Sequence, residues 1–249
     1  MVTQAAARSK KANTPATRTA SPAKKATPKS TARATAVGRP KSSPIRDQVI
    51  AFKREQILNE AVELFYQLGY QHTSLDMVAE RLGVTKPFIY YHFKDKAEIL
   101  FEIGRRSIVQ ANNALKGALS TPGKPAVRLY HTIAAMTRSV LESSRHTAIF
   151  FREEKNFSDT DRAVLHEMHS EFDKMLVKLL EEGCKTGEFK VADPALCSLA
   201  IAGAVGWGYI WYRPNGRLSV DEIADQMAQM VMQMVGAAPK DYASAMAAA

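Results

Sequence analysis

The segment between residues 73 and 93, TSLDMVAERLGVTKPFIYYHF, fits two short helices joined by one tight turn. Thr73 or Ser74 can cap the first helix, because short polar side chains accept hydrogen bonds from the free N–H groups of a helix start. Gly83 supplies the positive φ that a sharp turn requires, and the small Ala79 lets two helices cross closely. An apolar stripe on the first helix consists of Leu75, Val78, Ala79 and Leu82. The pattern predicts a helix-turn-helix at residues 74–93.

The second helix of this motif has one apolar side and one polar-aromatic side. Thr85 is predicted to cap it, Pro87 is tolerated in its first turn, and Ile89 and Phe93 face the core. The residues predicted to point outward are Lys86, Phe88, Tyr90, Tyr91 and His92. Lysine and histidine can contact phosphates or base acceptors, and tyrosine hydroxyls can donate to phosphates. The outer side is therefore suited to a DNA major groove.

Helical periodicity continues through the remainder of the chain from about Val49. One face of the first helix carries Ile57, Ala61, Leu64, Phe65 and Leu68, and Gly69 is predicted to end that helix. Later helix starts are marked by Asp95, by Asp193 before a proline, and by Ser219. No stretch alternates apolar and polar residues long enough to indicate a strand. We therefore predict an all-α fold of nine or ten helices.

The net charge of +9 is concentrated in a tail. Residues 1–46 hold eleven Lys and Arg and no acid, whereas the remainder holds 23 basic and 25 acidic residues. This Lys/Ala/Pro-rich tail has almost no large apolar residues, so we expect it to be disordered. Two interpretations stay open: a tether that binds phosphates without sequence preference, and a solubilising extension. A transit peptide is less favoured, since the tail lacks an amphipathic apolar face.

Residues 195–212 contain no charged side chain, so they require a membrane test. The length is at the lower limit for a bilayer span. The segment contains Gly203, Gly206 and Gly208 and is bounded by Asp193-Pro194 and Arg213-Pro214. We interpret it as a helix at residues 194–212 buried between protein surfaces, and expect no membrane partner.

The residues of the motif are similar to those of the TetR/AcrR family of transcriptional regulators. The similarity runs from about Arg54 to Leu100 and includes AVELFYQLGYQHTSLDMVAERLGVTKPFIYYHFKDKAEIL. The resemblance implies a three-helix DNA-binding domain at residues 47–94. It also implies that the residues in contact with DNA are Thr73, Ser74, Thr85, Lys86, Tyr90, Tyr91, His92 and Lys96. Pro87 and Phe88, in the second helix of the motif, are added to this predicted set. Phe88 departs from the family pattern, where small residues are common, and is expected to alter base preference or contact a thymine methyl group.

The resemblance also implies a helical effector-binding and dimerisation domain, here residues 95–236, whose last long helices pair two subunits. Residues 160–183 form an amphipathic helix, and the apolar helix at 194–212 needs cover on every side. We expect a homodimer. The candidate dimer residues are Phe172, Met175, Leu179, Leu199, Gly203 and Gly206. Residues 237–249 are expected to be an Ala-rich tail.

A small effector is expected among the middle helices. Its candidate contacts are Arg105, Met136, Phe150, Phe151, Arg152, Trp207 and Trp211. The stretch GAVGWGYIWYRPNGRLSVDEIADQ is similar to the corresponding stretch of an acyl-CoA-responsive subgroup of the family. This similarity favours an acyl-CoA thioester near Arg213 and Arg217, and multidrug or antibiotic sensing is the alternative.

His166 and His169 lie on one face of a helix, where two histidines can share a metal ion. Their spacing is not the HExxH spacing of a metalloprotease, and a solvated helix face is the favoured interpretation. We therefore predict no metal and no cofactor.

The function predicted from these patterns is a cytoplasmic, nucleoid-associated repressor that binds a palindromic operator as a dimer and is released by its ligand. The two cysteines, Cys184 and Cys197, form no CxxC pair and suit a reducing compartment. An enzyme is disfavoured, because the sequence has no nucleophile-base set and no Gly-rich phosphate loop. An architectural DNA-binding protein that acts through its basic tail is the alternative from another class.

Overall fold

The computed structural model describes residues 44–246, which form eleven α-helices and one 3₁₀ turn and contain no strand. The helices are α1 (Pro44–Leu68), α2 (Leu75–Arg81), α3 (Lys86–His92), α4 (Lys96–Ser120), α5 (Pro125–Glu142), α6 (Ser144–Glu153), α7 (Asp159–Thr186), α8 (Pro194–Gly206), α9 (Gly208–Trp211), α10 (Val220–Met234) and α11 (Pro239–Met246), with the 3₁₀ turn at Glu154–Asn156. The all-α prediction is confirmed, although the described residues hold eleven α-helices rather than the nine or ten predicted. Residues 1–43, and with them most of the predicted basic tail, lie outside the described residues.

The amino-terminal core forms between α1, α2, α3 and the first half of α4. Ile57, Ala61 and Phe65 of α1 are fully buried in it, and Gly69 ends that helix with a φ of 85°. The helix begins at Pro44, so the predicted tail boundary at residue 46 is too late by three residues. A proline suits the first turn of a helix, because its missing N–H would have no partner there.

A second core surrounds α5, which packs against α10, α7, α8 and α11. Tyr130 of α5 is fully buried, and its hydroxyl donates to Asp225 of α10. Burial, followed by the bond to Asp225, raises the pKa of Tyr130 to about 12. Tyr242 of α11 stacks on Tyr130 at 5.6 Å and is itself buried. The predicted tail at 237–249 is therefore wrong for residues 239–246, because this aromatic contact anchors a helix there.

Helix α4 joins the two cores. The Asp95 side chain caps it by accepting a hydrogen bond from the Glu98 N–H at 2.8 Å, as the sequence predicted. Its first half packs on the amino-terminal helices and its second half on α5 and α7. A displacement of α4 would therefore change the packing of both cores.

The apolar segment predicted as one helix at 194–212 is two helices. Trp207 separates α8 from α9, and glycines stand on both sides of it, where helices are easily interrupted. Pro194–Trp211 is long and apolar enough to cross a bilayer, but it packs Ser198, Ile201 and Val205 into the protein. Its opposite side, with Leu199, stays exposed in the single subunit.

Two glycines give a stability test of the packing around α7. A methyl group on Gly183 would lie 2.0 Å from the ring of buried Phe189, whereas a methyl group on Gly117 of α4 would meet no atom within 4 Å. We expect Gly183→Ala to lower the free energy of unfolding by about 1–3 kcal/mol, since overpacking exceeds the gain in helix propensity. Gly117→Ala should raise it by about 0.5–1 kcal/mol. Urea unfolding at one protein concentration measures both; a Gly183→Ala protein as stable as wild type contradicts the packing.

Candidate nucleic-acid interface and effector cavity

The turn between α2 and α3 is built as the sequence predicts. The Ser74 hydroxyl caps α2 by accepting a hydrogen bond from the Met77 N–H at 3.3 Å. Gly83 has a φ of 65°, and the Val84 N–H donates to the Ala79 carbonyl at 2.9 Å, which closes the turn. Thr85 is the N-cap residue of α3 as predicted, but its hydroxyl accepts no capping hydrogen bond. That hydroxyl stays exposed beside the first turn of α3.

Two apolar side chains and one arginine hold α3 against the amino-terminal core. Ile89 and Phe93 are buried in the amino-terminal core. The Arg54 guanidinium of α1 lies 4.0 Å from the centroid of the Phe93 ring and donates to the His92 carbonyl. It also pairs with Glu98 of α4 at 3.2 Å. These contacts fix the end of α3 against α1 and α4 at once.

The opposite side of α3 is free. Tyr90 is 48% exposed and Tyr91 67% exposed, although tyrosines are usually well covered. Lys86, with Thr85 and Pro87, is exposed at the amino-terminal end of α3. These residues form the outer face of α3, which could enter a major groove.

Two residues predicted to contact DNA are turned inward. His92 is 6% exposed, so the prediction that it points outward is wrong. Burial lowers its pKa, and the nearby charges of Lys53 and Arg54 lower it further. Thr73 is 2% exposed, and its hydroxyl donates to the Gly69 carbonyl at 3.0 Å. Both side chains support the motif from inside.

The lysines at the ends of the motif differ in their surroundings. Lys96 Nζ donates to the carbonyls of Tyr70 at 2.7 Å and Thr73 at 2.8 Å, so it is occupied in bracing the loop before α2. Burial lowers the pKa of Lys96. Lys86 pairs with Asp76 at 2.7 Å on the open surface, and this hydrogen bond raises its pKa. An exposed pair of this kind is weak and easily exchanged for a phosphate.

Phe88 is half-buried rather than outward-facing, and Lys53 of α1 lies over its ring at 5.5 Å. Lys53 of α1 and Lys94, directly after Phe93, are also exposed near α3 and were not among the predicted contacts. Lys94 could have been found from its position directly after the motif. Lys53 and Arg54 gave no local signal, because they approach α3 only through the fold.

An apolar cavity of about 250 Å³ lies among α4, α5, α6, α7 and α8. Of the predicted effector contacts, Met136, Phe150 and Phe151 line it. Its polar side chains are Thr147, His169 and Asp173. Burial lowers the pKa of His169. The cavity suits an apolar ligand with one or two polar atoms.

A more polar cavity of about 600 Å³ shares Phe150, Phe151, His169 and Asp173 with the apolar cavity. The two spaces are therefore neighbours. The remaining residues of the polar cavity are Glu154, Phe157, Arg162, Leu165, His166 and Ser170. A ligand longer than the apolar cavity could continue past these shared side chains.

The other predicted effector contacts line neither cavity. Arg105 is paired with Glu102 at 2.8 Å, and Arg152 donates to the carbonyls of Phe65 and Tyr66. Trp207 and Trp211 are exposed on α8 and α9 instead of facing inward. Arg213 and Arg217, suggested for a CoA group, are also absent from both linings.

The end of α6 is fastened to the amino-terminal unit through a set of contacts that we term the α6 latch. Besides the Arg152 bonds to α1, buried Glu153 accepts from the Tyr70 N–H at 3.4 Å. The Gln71 amide donates to Asn156 at 2.6 Å. The α6 latch thus forms hydrogen bonds with the end of α1 and with the loop that leads to α2.

Only part of the predicted dimer set is available on the surface. Phe172 is buried beside the apolar cavity and Leu179 is fully buried in the second core, so neither can contact another subunit; Met175 is half-buried. Leu199 and Gly203 are exposed, and Gly206 is half-exposed. The exposed apolar face of α8–α9 comprises Leu196, Leu199, Trp207, Ile210 and Trp211.

His166 and His169 do not make a metal centre with other ligands. Within residues 44–246, no group of three or more His, Cys, Asp or Glu side chains is arranged to hold a metal ion.

Comparison with known proteins gives a consistent result. Residues 57–103 match the family described as bacterial regulatory proteins, tetR family, and residues 122–235 match the tetracyclin repressor-like C-terminal domain. A TetR/AcrR-family transcriptional regulator from Thermobifida fusca YX-ER1 is 34% identical, with a TM-score of 0.60; the match covers 73% of this chain and 97% of that chain.

Two further proteins are similar to this chain over most of their length. The HTH-type transcriptional repressor KstR2 of Mycolicibacterium smegmatis is 26% identical over 184 residues, which are 73% of this chain and 90% of that protein. AibR, solved in complex with isovaleryl coenzyme A and operator DNA, is 24% identical, with a TM-score of 0.61, over 72% of this chain and 97% of that chain. The latter likeness shows the fold.

The motif geometry, the two family matches and the relatives lead to one conclusion. The chain belongs to the TetR family of transcriptional regulators, which are DNA-binding proteins and not enzymes.

Proposed function

We propose that this protein is a repressor that binds a palindromic DNA operator as a homodimer and leaves it when a small effector binds. The observation that supports this most strongly is the outer face of α3, exposed on one side and anchored on the other. A recognition helix needs both properties, since base contacts are specific only when side chains are held in place.

The chemistry of that face suits duplex DNA. Tyr90 and Tyr91 can donate hydroxyl groups to phosphates and pack on sugars or thymine methyl groups. Lys86 can exchange Asp76 for a phosphate. The Thr85 hydroxyl makes no capping hydrogen bond, so it can donate to a phosphate as well. Ser74, at the start of α2, is exposed at a helix end whose N–H groups favour anions.

The exposed apolar face of α8–α9 supports the homodimer. Its five large apolar side chains are all exposed in the single subunit, and the Trp207 side chain is 57% exposed. Several large apolar side chains exposed on neighbouring helices favour an interaction site, because single subunits rarely leave such groups in water. A second copy related by twofold symmetry would cover it with the same face and would place two α3 helices for a palindrome.

For the effector we propose an acyl-CoA thioester, with the acyl group in the apolar cavity and the remainder in the polar cavity. The volume and lining of the apolar cavity support a short acyl chain, and the relative AibR was solved with isovaleryl coenzyme A. Arg162 is the basic side chain in the polar cavity.

A second ligand class has its own support. Aromatic rings from Phe150, Phe151 and Phe157 lie near the carboxylates of Glu154 and Asp173 in the polar cavity. Rings and carboxylates together favour lipophilic cations, as in multidrug sensing. A panel of acyl-CoA esters and lipophilic cations distinguishes the two classes.

Release from DNA follows from the contacts of α6. Phe150 packs on α4 at Gly104, where an added methyl group would lie 3.0 Å from its ring. A ligand that displaces Phe150 acts on α4 directly and on α1 through the α6 latch. Since α1 and α4 both support α3, the distance between α3 and the α3 helix of the second subunit changes. A coupling free energy of about 1–3 kcal/mol between effector binding and DNA binding would be typical.

Tyr91→Ala tests the recognition helix. We expect the variant to bind a duplex selected from random sequences by the full chain at least about tenfold more weakly, since a base or phosphate contact is lost. Fluorescence anisotropy measures the affinity, and circular dichroism checks that helicity is retained. Tyr212→Ala, in the loop after α9, is the matched control and should bind as wild type does. Equal affinity of Tyr91→Ala and wild type would show that α3 is not the reader.

The effector test uses the same duplex and a panel of acyl-CoA esters, free CoA, free acids and lipophilic cations. We expect a short-chain ester to release the protein. Ala202→Phe, which fills the apolar cavity, should bind DNA normally but need at least about tenfold more ester, because the acyl site is occupied. Ala163→Phe, on the exposed surface of α7, is the control. Release by cations alone supports multidrug sensing, and no response to any ester removes the thioester proposal.

A further inference from the structure

We infer that the protein has a second small-molecule site beside the loop between α4 and α5, where Arg128 binds the carboxylate of a small acid with an apolar body. The site is a cavity of about 270 Å³, which we name the Arg128 cavity. It shares no described lining residue with either effector cavity. Its lining includes Ala114 and Ala118 of α4 and Val127, Arg128, Thr132 and Ala135 of α5.

Arg128 is a buried cation whose hydrogen bonds are incomplete. It is 7% exposed, although arginine is rarely buried to this extent unless it is fully paired. Its Nη2 donates to one carboxylate oxygen of Glu182 on α7, and its Nη1 donates to the Ala118 carbonyl at 3.4 Å. Its Nε is buried and has no acceptor among the described residues. Because a buried donor without an acceptor is costly, this guanidinium has room for a better acceptor.

A carboxylate is the acceptor that this geometry favours. Its two oxygens match two parallel N–H groups of a guanidinium, here those of Nε and Nη2. Glu182 accepts from Nη2 alone, and its side chain is 43% exposed, so it can turn towards solvent. An incoming carboxylate that takes the place of Glu182 can therefore accept from Nη2 and Nε together.

The charge of the lining also favours an anion. Of the described residues that line the Arg128 cavity, none is acidic. Both effector cavities, in contrast, include Asp173, which would repel a carboxylate. A free acid is therefore expected in the Arg128 cavity rather than in the effector cavities.

The rest of the cavity limits the size and polarity of the acid. Ala114, Ala118, Val127 and Ala135 present only hydrocarbon groups. The Thr132 hydroxyl is already used, because it donates to the Arg128 carbonyl at 2.8 Å. The volume is just below the range of about 300–1,000 Å³ that is typical of ligand pockets. The cavity therefore suits a short-chain or aromatic monocarboxylate and is too small for a CoA ester.

An acid bound in the Arg128 cavity would contact α4 and α5 at once. Helix α4 also borders the apolar effector cavity at Gly104, so the two ligands would act on one helix from different positions. The inference does not depend on the proposed function, because binding of the acid is measured without DNA.

The test is isothermal titration of the full-length protein with hexanoate. We expect a dissociation constant of about 1 mM or below, as is reasonable for a ligand of this size. Hexanamide has a similar body but no charge, and acetate has the charge but almost no body. Each should bind at least about tenfold more weakly, because the site needs both the carboxylate and the hydrocarbon chain.

Four variants locate the bound acid. Glu182→Gln should bind hexanoate about tenfold more tightly than wild type does, because no internal carboxylate then competes for Arg128. Glu181→Gln removes the same charge at the adjacent, exposed position of α7 and should bind as wild type does. Arg128→Gln should lose the binding, and so should Ala118→Phe, which fills the cavity. Circular dichroism checks that each variant retains its helicity.

The comparison of Glu182→Gln with Glu181→Gln decides the inference even where Arg128→Gln or Ala118→Phe does not fold. Tighter binding of hexanoate by Glu182→Gln alone supports it. Three results would overturn it: equal affinity of the two glutamine variants for hexanoate, hexanamide bound as tightly as hexanoate, or no binding of hexanoate to wild type and Glu182→Gln at millimolar concentration. Retained binding by a folded Arg128→Gln protein would overturn it as well.

Discussion

The anchoring of α3 is the interaction on which the account depends. A helix of seven residues is not stable in water by itself, because nucleation costs more than so few hydrogen bonds return. Ile89 and Phe93 bury one side, while Arg54 holds the carbonyl end and stacks on Phe93. The exposed tyrosines are thus presented on a rigid support, and the orientation of α3 follows the positions of α1 and α4.

The helices that support α3 are also in contact with α6 and the 3₁₀ turn after it. The α6 latch fastens the end of α1 and the loop before α2, while Phe150 and Phe157 press on α4 at Gly104. The apolar cavity borders Phe150 and Gly104. The side chains that line the apolar cavity therefore also contact α4, one of the helices that support α3. In the proposed release from DNA, a ligand that shifts α6 slightly would alter both α1 and α4, which support α3.

The sequence predicted the features that depend on neighbouring residues. The turn at Gly83, the end of α1 at Gly69, the cap at Ser74 and the start of α4 at Asp95 were all readable, because each follows from local backbone chemistry. The all-α class was equally accessible from periodicity.

What the sequence could not provide depends on distant contacts. Arg54 is 38 residues from the carbonyl that it binds, and the burial of His92 and Thr73 is decided by the packing of α1 and of the loop. Leu179 and Leu199 have the same side chain, but only the fold buries one and exposes the other. Helix α11 was missed because its anchor, the stacking of Tyr242 on Tyr130, joins residues over a hundred positions apart.

The central claim is that two subunits, paired through the apolar face of α8–α9, place two anchored α3 helices on one duplex. A hydroxyl-radical footprint of wild type and Leu199→Asp on the selected duplex tests it most directly. The account predicts two symmetric protected patches about one turn apart, ~34 Å, for wild type. Leu199→Asp, which puts a charge in the face, should be monomeric by sedimentation and lose the paired pattern at the same concentration. A single wild-type patch, or two patches retained by Leu199→Asp, would contradict the account.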